Sequence, residues 1–208
     1  MPDIYDKFAA YVATEVKEIG MASVEPLLTV ADLDAFPDDD GNRYEIIEGE
    51  LFVSRAPGIP HQRVLQNLQL EFGLYLKANP IGILVPGAGA IFSDYDAVIP
   101  DLAFVRNERW DEVVTGEKFT GALDLVVEIL SPGTQNRQRD LVGEALPLRY
   151  GKYGVKEYWI VDSQNQSVLI FRLREQTLEE LVTLVDDQAL ASPLLPGFQL
   201  KASTIFNL

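Results

Sequence analysis

From Arg43 to Arg55 the chain reads RYEIIEGELFVSR, with apolar and polar residues alternating across Glu48-Gly49. A period of two around a glycine turn predicts a β-hairpin, and it carries Glu45, Glu48 and Glu50. The period then changes. In HQRVLQNLQLEFGLYLKAN, Val64, Leu68, Phe72 and Tyr75 fall on one stripe with polar residues elsewhere, which predicts a long amphipathic helix entered through Pro60 and His61. Apolar runs around 81–92, 98–105 and 123–130, with turn residues between them, predict strands. The segments KEYWIVD and SVLIFRL flank SQNQ and read as a second hairpin, followed by an acidic amphipathic strand region ending at LLPGFQLKASTIF.

Shorter signals fill the gaps. Thr29 with Asp32 three residues on is a helix start, and Pro37 with the turn DDDGN stops that helix after Phe36. A second helix is expected from Leu141 to Tyr153, interrupted by Pro147. In residues 1–20, Ile4, Phe8, Tyr11, Val12, Val16 and Ile19 have helical spacing, and Gly20 can close the helix. Two readings stand for residues 1–25: a docking arm, or a start-site extension ahead of Met21. Residues 26–208 are expected to form one α/β domain, a mixed β-sheet flanked by helices, with no internal repeat.

Composition narrows the chemistry. The absence of cysteine excludes a disulfide framework, thiolate zinc and a cysteine nucleophile, and it is what a reduced cytosol permits. No apolar run is long enough to span a bilayer, and Asp3 and Asp6 stand where a signal peptide would be basic, so a cytoplasmic protein is expected. The net charge of −15 argues against a general affinity for phosphate backbones or anionic membranes. The charge is unevenly spread, however. Lys and Arg against Asp and Glu number 6 to 16 in residues 1–100, 10 to 11 in 101–174 and 1 to 5 beyond. The nearly neutral middle contains Arg137, Arg139, Arg149, Lys152 and Lys156, and two readings stand for it: a locally positive site built with a divalent ion, or a solvated mixed-charge face.

Two carboxylates lie in that middle segment where burial is expected. Asp101 opens the apolar run IPDLAFV, and Glu128 stands inside the β-branched run LDLVVEILSPGT. An unpaired buried carboxylate costs several kcal/mol, so each should reach solvent at a strand end or share a cation on neighbouring strands. The plain alternatives are a strand-start turn residue for Asp101 and an arginine pair for Glu128. His61 is the chain's single histidine; it suits a general base or phosphate contact as well as a local helix-entry hydrogen bond. Glu50, expected on the same hairpin face as Glu45, is a candidate to complete an acidic cluster. Tyr158 and Trp159 are expected in the core or at a sheet edge. No Gly-x-Ser-x-Gly elbow exists, and PGAGAIF lacks the lysine of a phosphate-cradling loop.

The motifs RYEIIEGEL, PGIPHQRV, IPDLAFV, LDLVVEILSPGT, Arg139-Asp140 and GVKEYWIVD, in this order, resemble the Uma-type restriction-endonuclease-like family of the PD-(D/E)XK nuclease superfamily. The resemblance implies a mixed sheet flanked by helices, with Asp101 and Glu128 binding Mg2+ or Mn2+. The carbonyl of Ile129 is a candidate third ligand, His61 a helper, DNA the substrate and a homodimer the assembly. It also implies a catalytic lysine, and here the sequence departs. Leu130 stands two residues after Glu128, while Glu144 and Leu146 stand at the displaced positions on the following helix. Lys152 is the expected substitute, with Lys156 and Arg149 behind it. Two functions follow as expectations: a metal-dependent endonuclease, or a catalytically silent nuclease-fold protein acting as a binding or assembly partner.

Overall fold

The computed structural model describes residues 27–37, 40–130 and 146–207. The expected arm at 1–20 lies outside these residues, as do Arg137, Arg139, Asp140 and Glu144. The first hairpin forms as its alternation predicts, from β1 (Asn42–Ile47) and β2 (Glu50–Arg55). Glu48 and Gly49 both have positive φ, 55° and 77°, the combination of a type I′ turn whose twist matches that of paired strands. Before it, Thr29 N–H donates to Asp32 Oδ2 at 2.6 Å and Asp32 N–H donates to the Thr29 carbonyl at 2.9 Å. This reciprocal cap starts a short 3-10 helix over Val30–Ala35.

The amphipathic helix α1 spans Ile59–Ala78 and buries His61, Val64, Leu68 and Phe72. The apolar run after it divides into β3 (Gly82–Pro86) and β4 (Ala90–Ser93), because Gly87 at φ 61° turns the chain between them. The next run divides in the same way, into β5 (Asp96–Val98) and β6 (Leu102–Arg106), and leaves Asp101 in the break. Two short strands, β7 (Val114–Thr115) and β8 (Lys118–Phe119), precede β9 (Leu125–Leu130). Helix α2 covers Leu146–Lys152; it runs through Pro147, which is buried, to Lys152. The second hairpin is β10 (Glu157–Asp162) with β11 (Ser167–Arg174). Strands β12 (Thr177–Val185), β13 (Ala189–Ser192) and β14 (Leu195–Lys201) follow.

The terminal ASTIF, expected to finish a strand region, is instead helix α3 (Ala202–Phe206). Ala202, Ile205 and Phe206 are spaced to bury one helical face, and all three join the core.

One central sheet was expected; the described residues form two of six strands each, plus the pair β13-β14. One sheet runs β2-β1-β5-β4-β8-β7 and the other β12-β11-β10-β9-β6-β3. The second sheet is mixed: β9 pairs β10 in parallel and β6 antiparallel. Strand alternation gives it two apolar faces. Leu102, Phe104, Leu125, Val127, Ile129 and Trp159 pack with Val64, Leu68 and Phe72 of α1, the Phe72 and Trp159 rings 5.6 Å apart. Ala103, Val105, Val126, Tyr158 and Ile160 pack on the other face with Ile47, Ala90, Val98, Leu146 and Tyr150. Tyr158 and Trp159 are thus fully buried, on the strand between β9 and β11 and away from any edge. The architecture is a mixed α+β fold of mixed sheets with flanking helices. No helix among the described residues is long and apolar enough to cross a membrane.

Candidate active site

β6 and β9 run antiparallel with Leu102 opposite Val127, so Asp101, just before β6, lies beside Glu128. The bond between them runs through the backbone: Ile129 N–H donates to Asp101 Oδ2 at 2.9 Å. In an antiparallel strand the N–H and C=O of one residue point the same way, so the Ile129 carbonyl also faces the Asp101 side. His61 arrives from the first turn of α1 and its Nε2 lies 2.9 Å from Asp101 Oδ2. Nδ1 is buried with no hydrogen-bond partner among the described residues. Arg43 Nη1 donates to Asp101 Oδ1 at 3.3 Å from the open end of the first hairpin.

Glu128 shares its face of β9 with Val126, toward α2, and there Tyr150 O–H donates to Glu128 Oε1 at 3.0 Å. The third carboxylate is Glu45, whose Oε1 accepts the Ile99 N–H at 2.7 Å. Glu45 and Glu128 retain some surface as residues, but their carboxyl ends are closely surrounded. Burial pushes Glu45 up to about 7, with Asp101 adding to the rise while Ile99 N–H and Arg43 oppose it. Burial, then the charges of Asp101 and Glu45, raise Glu128 well above the usual range against the pull of Tyr150. Burial and the neighbouring Glu128 likewise hold the Tyr150 phenol well above its ordinary value, so it stays a donor.

The cluster differs from expectation in two respects. Glu50, the candidate third acid, is exposed and sits across from Ile47 at the turn end of the hairpin; Glu45, five residues earlier and across from Phe52, takes that place. The lysine substitute also falls elsewhere. Lys152 Nζ lies 5.1 Å from the centre of the Tyr153 ring, on the exposed side of α2, and makes no ion pair with Asp101 or Glu128 among the described residues. Lys156 Nζ is bound to Asp124 at 2.6 Å, and Arg149 pairs with Glu48 and lies 3.7 Å from Asp96. A helix presents Arg149 and Lys152 on faces different from that of Tyr150, and Tyr150 is the residue turned to the cluster. Arg43, Glu45 and Tyr150 are the site residues that sequence reasoning missed. Glu45 in its alternating strand was the one available signal, shared equally with Glu50.

The donor set suits a hard cation only in part. Asp101 and Glu128 offer carboxylate oxygens, the Ile129 carbonyl faces the same side, and three acids pressed together favour a positive charge among them. Among the described residues, no three His, Cys, Asp or Glu side chains form a ready metal cage, so waters would complete the coordination shell. That fits an ion that keeps its waters.

The layers define a mixed α+β fold with an acidic cluster at a strand break. A crystal structure described as a putative nuclease belonging to DUF820, from Anabaena variabilis ATCC 29413, shares this fold with a TM-score of 0.71. It is 20% identical and the match covers 86% of this chain and 97% of that one. The chain belongs to the Uma2 family, described as "Putative restriction endonuclease", whose model matches residues 30–203. No curated protein matches the chain.

Proposed function

We propose that this nuclease-family protein is a Mg2+- or Mn2+-dependent endonuclease hydrolysing DNA phosphodiester bonds, with Asp101, Glu128 and the Ile129 carbonyl as metal ligands. The observation that carries this reading is the convergence of Glu128 from β9, Glu45 from β1 and Asp101 from the break before β6 on one largely buried point. Structure alone does not require such crowding, since mutual repulsion of buried acids costs stability. A bound ion would polarise a water toward the hydroxide nucleophile and offset charge building on the scissile phosphate. The chain's residues arrange the rest. His61 and Ile129 N–H fix Asp101, Tyr150 fixes one oxygen of Glu128, and Glu45 exchanges a proton near neutrality. Lys152 has no part in this arrangement. The reading includes a homodimer acting in the cytoplasm.

A second reading has one observation in its favour. Asp101 is already faced by Arg43 and His61, while Lys152, Lys156 and Arg149 are engaged elsewhere, as in a nuclease fold that binds without turnover. Calorimetry with Mg2+ and Mn2+ on the unchanged protein and on Asp101→Ala separates the two, followed by cleavage of plasmid and single-stranded DNA in the same buffers. Metal binding and cleavage that both vanish in the variant support the enzyme. Binding without cleavage supports the silent protein, and no binding removes the metal site.

A further inference from the structure

We infer that Arg43 is the phosphate-binding residue of this site, the group that lets an acidic cluster receive a phosphodiester. This rests on the reading of the cluster as a nucleic-acid site. Three carboxylates repel a phosphate, so a substrate needs a cation at the point where the cluster meets solvent. Among the described residues, Arg43 is the Lys or Arg side chain with an ion pair to one of the three acids, Asp101; Arg149, Lys152 and Lys156 are held elsewhere.

Accessibility singles out the same residue. The side chains of Asp101 and His61 are 5% and 3% exposed, whereas that of Arg43 is 29% exposed. The guanidinium carries five N–H donors, and the bond to Asp101 at 3.3 Å uses one of them. The remaining fork matches the paired oxygens of a phosphate, which a lysine could not reproduce in the same plane. The position is also braced. Arg43 belongs to the ladder of β1, opposite Ser54, and its Asp101 contact orients the head group before any ligand arrives. The site therefore takes a phosphodiester backbone irrespective of base, with Asp101 as the hinge between the metal ligands and the phosphate contact.

The test is fluorescence anisotropy of a short labelled single-stranded DNA, with calcium in place of magnesium, on the unchanged protein, Arg43→Gln, Arg43→Lys and the control Arg174→Gln. Arg174 is an exposed arginine on β11 whose loss changes net charge equally. Arg43→Gln should weaken binding about 10- to 100-fold, the size of one charge-assisted contact, and flatten the slope of log affinity against log salt by about 0.7. Arg43→Lys should recover part of the loss, and Arg174→Gln should bind as the unchanged protein does. Calorimetric metal binding should survive in Arg43→Gln, because Asp101 loses a competing cation. Equal DNA binding by Arg43→Gln and the unchanged protein, or equal losses in Arg43→Gln and Arg174→Gln, would overturn the inference, as would an unchanged protein that binds no DNA. Arg43-dependent binding without cleavage would leave the inference standing and remove only the hydrolytic reading.

Discussion

The strand pair β6-β9 carries buried carboxylates at both ends, and the two ends are built oppositely. At one end Asp124 is fully buried and its charge is answered three times: by Arg106 N–H at 2.9 Å, Arg109 Nη1 at 2.9 Å and Lys156 Nζ at 2.6 Å. Burial pushes this carboxyl up, but those partners outweigh it and hold Asp124 below the usual range. At the other end Asp101, Glu128 and Glu45 crowd together, and Glu45 and Glu128 are raised. Asp124 joins β6, β9 and the loop before β10, so its carboxylate serves the fold. The opposite cluster opposes the fold, and such strain persists where a ligand relieves it.

Breaking the stable end should have the largest effect. Asp124→Ala leaves Arg109 and Lys156 facing a cavity, and destabilisation of about 3–4 kcal/mol is expected; the partial exposure of Lys156 keeps it from being larger. Urea unfolding measures it. Metal binding by folded Asp124→Ala should be unchanged, and a loss would show that the two ends are not independent.

The next effect has the opposite sign. A carboxyl raised from 4.5 to about 7 on folding is stabilising while protonated, and that advantage is lost as the pH rises through the folded value. Glu45→Gln should therefore match the unchanged protein near pH 4.5 and exceed it by about 2–3 kcal/mol near pH 8. Unfolding curves at the two pH values check this; a variant less stable at both would mean that the ionised carboxylate is well accommodated. Asp124 contributes in the other direction: its lowered value adds stability above the unfolded 3.8, which is lost on acidification.

Metal addition sharpens the comparison further. Mg2+ or Mn2+ at about one hundred times its dissociation constant should stabilise the unchanged protein by about 2.7 kcal/mol, visible as a rise in Tm. The rise should grow between pH 6 and 8, because the ion competes with the protons on Glu45 and Glu128, and vanish in Asp101→Ala. A pH-independent rise would place the ion elsewhere. The smallest effect is expected from Tyr150→Phe, which removes one hydrogen bond at Glu128 and should cost about 1 kcal/mol. The same variant should raise the carboxyl of Glu128 further, and carboxyl-edited NMR titration would show whether it does.

By itself the sequence determined the local elements and one pairing. The alternation of RYEIIEGELFVSR specified β1-β2 with its Glu48-Gly49 turn, the stripe of Val64, Leu68 and Phe72 specified α1, and Thr29 with Asp32 specified the capped turn. Each is a matter of neighbours a few residues apart, where periodicity and capping act without help from the rest of the chain. The nearness of Asp101 and Glu128 was legible too, because each carboxylate lay in an apolar strand run that could not bury it alone. Only the tertiary structure decided which further residues complete the site. Glu45 rather than Glu50 joins it because β1 is bridged to β5 at Ile46 and Ala97, bringing Glu45 to Ile99 N–H. Tyr150 rather than Lys152 reaches Glu128 because α2 packs with Leu146 and Tyr150 inward. Arg43 meets Asp101 across 58 positions of sequence. Contacts of that range depend on how two sheets and two helices stack, and periodicity along a chain carries no record of stacking.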